Sequence, residues 1–394
     1  MTNLQNTEKF LCNLIRYEST PGNEHEVMLF CEQEFKKLGL TVERVPMSDA
    51  IKNDPDYSTP VPDIKYDGRF NLRVVRKGTG RGKKLLFNAH TDVVPASEGQ
   101  VNAFAPRVEN GIVYGRGACD DKGQVAVLHA LFQQLANVHV AGDVVAHIVN
   151  EEENGGNGSL AMVRTGEKAD GCIVLEASEG KLFTSIRGAV WFRIVFHGKA
   201  GHSGQAGQTK SALLIARDAI ALLEKYHADL LAASRGLPLF DPFPNPMPIT
   251  FGKLNAGNWP AAAPSRAVLE GVLGLLPNKT KEQVMAGMQK ALEPLGPVFE
   301  LSFMYRHDSS VVDPQHELPQ RILAAAQKAG RPLAVSAMTA SCDAWFYNNQ
   351  LGIPTVVFGA GTLKVAHSKD EQIPMQEIAH TAEILATLVQ DYCQ

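Results

Sequence analysis

The sequence predicts an α/β fold in which a mostly parallel sheet flanked by helices is interrupted by an inserted α+β domain. Three observations predict it. From residue 71 to about residue 175, short apolar runs alternate with helical patterns, as a layer built of strand-helix units requires. Residues 190–196 then alternate in the manner of a sheet strand with only one face buried. Past residue 308 the chain returns to helix, strand and helix, so the first layer is discontinuous. The boundaries read from these changes are 1–186 and 309–394 for the split layer and 187–308 for the insert.

In chain order, residues 5–17 and 24–38 carry helical patterns joined by the turn-prone Thr20-Pro21-Gly22-Asn23. A strand is expected over 40–45, then an irregular Pro-, Asp- and Tyr-rich stretch over 47–68, read as a surface loop near the substrate. The apolar runs 84–90 and 144–150 read as buried strands, and 122–135 is the clearest helix between them. Within the insert, helices are expected over 211–228 and 281–292 against strands near 249–254 and 267–276. A helix over 318–329, a strand over 354–358 and a terminal helix from 375 complete the pattern.

Composition narrows the function. The chain has 394 residues, 20% charged, with a net charge of −4, so no basic field for nucleic acid or an anionic membrane is evident and a small-molecule partner is expected. No run is long enough to span a bilayer, and the start does not resemble a signal peptide. Six cysteines are dispersed without a CxxC pair, which disfavours both a cysteine zinc site and a disulfide framework and fits a reducing cytoplasm.

Acidic residues and histidines stand in a fixed order at the ends of the apolar runs: His90-Thr91-Asp92, Asp120-Asp121, Glu151-Glu152-Glu153, Glu176 and His367. Carboxyl ends of parallel strands converge on one crevice, so these groups can share a site. Imidazole with carboxylate suits zinc, cobalt or manganese. Asp92, two residues after His90, lies on the same face of an extended segment and could orient the imidazole. Asp120 before a helix would ordinarily be read as a cap. Three adjacent glutamates repel one another unless a cation or solvent relieves them.

Taken with Gly201-His202-Ser203, Leu175-Glu176-Ala177-Ser178 and Phe358-Gly359-Ala360-Gly361, this ordered set closely resembles the M20 metallopeptidase and deacylase family, over essentially the whole chain. Acetylornithine deacetylase, succinyl-diaminopimelate desuccinylase and glutamate carboxypeptidase belong to that family. The resemblance implies two divalent metals, zinc by default, one held by His90, Asp120 and Glu176 and the other by Asp120, Glu153 and His367, with Asp120 as bridge. It implies Glu152 as general base, aligned on Gly155; a register one residue earlier would give Glu151 that role. It further implies that His202 reaches an active site across a homodimer interface and hydrogen-bonds the developing oxyanion. Asn258 and Asp343 match residues near the substrate. The insert would then serve as a lid and dimerisation domain on a catalytic layer.

Two positions depart from the family pattern. Gly274 and Trp345 stand where many members carry arginines that contact a substrate carboxylate, and neither can imitate a guanidinium fork. Arg187 or Arg306 could supply one instead, and Trp345 could favour an apolar or aromatic leaving group. The leading expectation is a cytoplasmic amidohydrolase of N-acyl amino acids, most like acetylornithine deacetylase, using a hydroxide bridged between the metals. A dipeptidase or carboxypeptidase-like member, and a non-catalytic ligand-binding relative, are the alternatives. A Ser/His/Asp hydrolase finds no Gly-x-Ser-x-Gly elbow to support it.

Overall fold

The carboxyl ends of four parallel strands form one rim of the principal sheet, and this rim positions the site. The computed structural model describes residues 3–205 and 207–394. Among them, nine strands form that sheet, in the order Thr41–Pro46, Phe70–Arg76, Val144–Val149, Leu85–His90, Gly171–Val174, Thr355–Val357, Lys181–Ile186 and Ser310–Val311, with Ala334–Met338 also paired to Lys181–Ile186. Val144–Val149, Leu85–His90, Gly171–Val174 and Thr355–Val357 run parallel. The strands Thr41–Pro46 and Phe70–Arg76 join one side antiparallel, and Lys181–Ile186 and Ser310–Val311 the other. The sheet is therefore mixed, with a parallel centre flanked by helices.

Burial on both faces explains why the central strands read as unbroken apolar runs. Leu85, Phe87 and Ala89 pack with the helices Asn3–Ile15, His25–Lys37, Lys122–Leu135, Glu317–Lys328 and Met375–Tyr392, whereas Leu86 turns to the opposite face with Leu160, Val163 and Phe346. Lys122–Leu135 is buried along nearly its entire length because it lies between the sheet and neighbouring helices.

A second, antiparallel sheet of four strands runs in the order Ile249–Ala256, Arg266–Leu275, Gly188–His197, Phe299–His307. The helices Ala212–Ala233 and Lys281–Leu292 cover one face, with Phe192, Ile194, Leu223, Leu269 and Met288 in a core of their own. Thr280 opens the second helix with a capping box: its hydroxyl accepts from Gln283 N at 3.3 Å and Gln283 Oε1 accepts from Thr280 N at 3.1 Å. The strand Phe299–His307 escaped the sequence reading because a register shift between Phe303 and Tyr305 breaks its alternation.

The segment 47–68 is not simply a surface loop. Met47, Ile64 and Tyr66 make a small buried cluster. Ser58 N donates to Asn157 Oδ1 and Val61 N to Asn154 Oδ1, both at 3.0 Å, while Thr59 N donates to Met304 O at 2.8 Å. Arg306 donates to the carbonyls of Pro55 and Tyr57 at 3.0 Å each, so the segment straps the second sheet to the loop after Val149.

Glu167 tests how much one ion cluster contributes to this layer. Its carboxylate, 7% exposed, meets Arg73 at 2.5 Å, Lys84 at 3.0 Å and His147 at 3.8 Å. Burial opposes ionisation, but the hydrogen-bonding and charge of His147, Arg73 and Lys84 outweigh it and hold the carboxyl well below its ordinary 4.5. A pKa depressed by folding adds stability above the unfolded value and loses it as pH falls. Glu167→Gln should therefore cost about 2 kcal/mol at pH 7. Denaturant titrations of both proteins should show the difference shrinking below about pH 4.5.

Candidate metal centre

His90, Asp120, Glu152, Glu153, Glu176 and His367 meet at the rim, whereas the Glu151 carboxylate turns away from it. His90 ends its strand opposite Val149, Glu176 follows Gly171–Val174 by two residues, and Glu151 to Glu153 follow Val144–Val149. A double turn at Gly155 (φ +100°) and Gly156 (φ +76°) folds the glutamate loop back. A Cβ at Gly156 would lie 2.9 Å from Asp343 Oδ1 and nearer still to the Phe346 ring, so only glycine allows both the turn and the approach.

Asp120 stands between the two histidines. Its Oδ1 is 3.3 Å from His90 Nε2 and its Oδ2 is 3.2 Å from His367 Nε2. Glu153 Oε1 lies 2.8 Å from His367 Nε2, and Glu176 Oε1 lies 3.9 Å from His90 Nε2. Two groups of potential ligand atoms result, His90 with Glu152 and Glu176, and Asp120 with Glu153 and His367, each with its atoms within 4.8 Å of one another. Glu152 thus also stands within reach of His90.

Support beneath these residues is extensive. His90 Nδ1 hydrogen-bonds to the carbonyl of Asp92 at 3.0 Å, with the Asp92 carboxylate at 3.3 Å. That carboxylate accepts from the backbone N–H of Glu152 at 3.2 Å and of Glu153 at 3.0 Å, so Asp92 ties the glutamate loop to the histidine strand. Asp121 accepts from His90 N at 2.9 Å. Glu151 and His367 adopt left-handed backbone (φ +63° and +55°), a strained conformation for a non-glycine residue.

Electrostatics tests whether the residues fit a cation. Burial, then the neighbouring Asp343, Glu176 and Glu153, raises Glu152 well above the carboxylate range against the pull of His90. Burial and Asp120 raise Glu153 to about 7, and burial with Asp121 and Asp120 raises Glu176. Hydrogen bonds to Asp120 and Glu153 push His367 up to about 11. A cluster that must take up protons to relieve its own charge is one that divalent cations would neutralise instead. His90 Nε2 is buried without a hydrogen-bond partner although it faces two carboxylates, as a ligand nitrogen would be. Nitrogen and oxygen donors in these numbers fit zinc, cobalt or manganese.

Other expected site residues fall further out. His202 is exposed on the two-residue strand Gly201–His202, paired with Ala262–Ala263, and belongs to neither ligand group. Asn258 is exposed beside Trp259. Asp343 is buried and accepts from Ser159 Oγ at 2.6 Å. Arg187 donates to the carbonyls of Thr339 and Gly188. Gly274 has no room for an arginine or any side chain, because a Cβ there would lie 2.7 Å from Arg187 Nη1 and 2.8 Å from Met247 Cα. Trp345 cannot serve as an open aromatic subsite: it is 5% exposed, stacked on His307 at 4.2 Å, with Lys281 Nζ 4.7 Å from its ring centre.

Glu371, in the acidic pair that follows His367, supports the rim although nothing in the sequence pattern singles it out. It is buried, ion-paired to Arg116 at 2.5 Å, and accepts from the N–H groups of Cys119 and Asp120 at 3.2 Å each. Arg116, set between Gly115 and Gly117, is the available signal. Its partner is 255 residues away, a pairing that one sequence does not reveal.

A rim of carboxylates and imidazoles on a mixed α/β sheet defines a metal-dependent hydrolase. Residues 86–391 match the model of peptidase family M20/M25/M40, and the chain belongs to that family. It is 27% identical to the N-formyl-4-amino-5-aminomethyl-2-methylpyrimidine deformylase of Bacillus subtilis, over 86% of this chain and 87% of that protein. Identity is also 27% to the acetylornithine deacetylase of Myxococcus xanthus (82% and 84% covered), and 26% to the succinyl-diaminopimelate desuccinylase of Methylorubrum populi (96% of each). Among solved structures, the di-peptidase Dug1p of Saccharomyces cerevisiae superposes with a TM-score of 0.81 at 13% identity, over 99% of this chain and 96% of that one. The YXEP protein of Bacillus subtilis, described as a dinuclear metal binding peptidase, gives 0.67 at 14% identity over 99% and 98%. No helix among the described residues is long and apolar enough to cross a membrane.

Proposed function

We propose that this chain hydrolyses the amide bond of a small N-acyl amino acid. The observation that carries the reading is the Asp120 carboxylate, which offers one oxygen toward each histidine at 3.3 and 3.2 Å, with Glu176 on one side and Glu153 on the other. His90, Asp120 and Glu176 would hold one divalent metal, and Asp120, Glu153 and His367 the second, zinc being the default. When bound, such a pair polarises the scissile carbonyl and acidifies the attacking water.

Glu152 takes that water's proton on a carboxylate oxygen and delivers it to the leaving nitrogen. Its carboxylate lies with His90 and Glu176 at the same rim, within reach of the cluster. Glu151 is ill suited to the role, because Arg69, Tyr66 at 2.7 Å and Asn157 at 3.1 Å already occupy its carboxylate. Asp92 positions both His90 and the N–H groups of Glu152 and Glu153. Arg187, packed against Gly274, is the guanidinium proposed for a substrate carboxylate, with Asp343 and Asn258 as further proposed substrate contacts. Residues 187–308 act as lid and dimerisation domain, and the exposed His202 of a second copy hydrogen-bonds the oxyanion. Six free cysteines accord with a cytoplasmic setting.

Support for an acyl group comes from the relatives, whose names describe deformylation, deacetylation and desuccinylation. Protein reconstituted separately with zinc, cobalt and manganese should cleave N-formyl, N-acetyl or N-succinyl amino acids at a kcat/KM at least about tenfold above that for dipeptides. A preference for dipeptides would overturn the acyl reading. Turnover that survives chelation would overturn the metals.

A further inference from the structure

A cavity of about 600 Å³ lies away from the carboxylate cluster, and no residue of either ligand group lines it. Its walls are the first turns of the Met375–Tyr392 helix, the turn at 330–333 and the Phe358–Thr362 segment. Arg331 lines it in an unusual state. Its side chain makes no ion pair or hydrogen bond among the described residues, and its Nε is buried without an acceptor. The acids of the cavity are engaged elsewhere: Glu179 accepts from Thr362 Oγ1 at 2.8 Å and Lys364 Nζ at 2.9 Å, and Glu377 from Gly361 N at 2.8 Å. Arg331 is only partly buried, so its guanidinium stays open to the cavity, and an acceptor brought by a ligand would pair donors that the protein leaves unmatched.

We propose that this cavity is an effector site for a small organic acid, whose carboxylate takes the guanidinium fork of Arg331. The volume suits a metabolite-sized molecule. Its wall is joined to the metal centre at two points. Ser178, two residues after Glu176, bridges to Thr362, five residues before His367, and Ser178 Oγ donates to Gly359 O at 2.9 Å. An occupant therefore bears on one residue from each ligand group. The effect on turnover rests on the proposed metal centre; the binding does not.

Glutarate titrated into metal-loaded protein, followed by calorimetry, tests this. Wild type and Glu152→Gln should both show a binding event that weakens at least about tenfold in Arg331→Gln, the loss expected for a charge-assisted pair. Filling the cavity from the Met375–Tyr392 helix with His380→Trp should abolish the same event, a check made without touching the arginine. In wild type, glutarate should change kcat/KM, and in Arg331→Gln it should not. Equal affinity in wild type and Arg331→Gln, or a single event lost only in Glu152→Gln, would place the acid elsewhere and overturn the site. Binding that depends on Arg331 without any change in turnover would overturn its effector role. Arg331-dependent binding in a protein that hydrolyses no amide would leave the site standing and remove the proposed function.

Discussion

Glu152→Gln should lower kcat by about 10²–10⁴-fold, the contribution of a general base, while both metals stay bound. Glutamine keeps the size of the side chain but cannot accept the water's proton. The neighbouring Glu151→Gln supplies the contrast. It would leave Arg69 with Glu24 as its only carboxylate partner and remove a buried charge, at about 3 kcal/mol in stability. Its folded fraction should turn over normally. Rates measured per folded molecule, with metal content and thermal midpoints recorded for each variant, separate the two positions. A stable, active Glu152→Gln beside a stable, inactive Glu151→Gln would shift the base by one residue.

The contrast between these neighbours also shows what a single sequence conveys. Apolar runs ending in His90, Glu151 and Glu176 were legible because parallel strands buried on both faces need continuous apolar residues, and their ends converge. That Glu151 turns inward to Arg69 and Tyr66 was not legible, since both partners come from the irregular segment around residues 66–69. Glu371 stayed hidden for a similar reason, its work being done through backbone N–H groups that no side-chain pattern reports. The gap at Gly274 was visible, but not its cause: Arg187, itself placed between the two sheets, fills the space.

Asp120→Ala should remove both metals at once, whereas His367→Ala should weaken only one. The difference follows from position: Asp120 faces both imidazoles, while His367 lies near Asp120 and Glu153 alone. Even outer-shell partners of a metal site are worth about 10–100-fold in affinity, so losing a shared ligand should cost more than about a hundredfold at each site. Removing Asp120 also takes one negative charge from a cluster whose carboxylates already repel one another, as the raised Glu153 and Glu176 record. Against that, although burial opposes its ionisation, both histidines hydrogen-bond to the Asp120 carboxylate and hold it well below its ordinary range, so stripped Asp120→Ala should unfold no later than stripped wild type. The wild-type gain in thermal midpoint on adding zinc should be absent from it, since ligand-induced stabilisation scales with binding. Metal analysis after dialysis would show about two ions per wild-type chain, about one in His367→Ala and none in Asp120→Ala. Retention of one tightly held ion in Asp120→Ala would mean that His90, Glu152 and Glu176 form a complete site by themselves, with Glu152 as ligand rather than base.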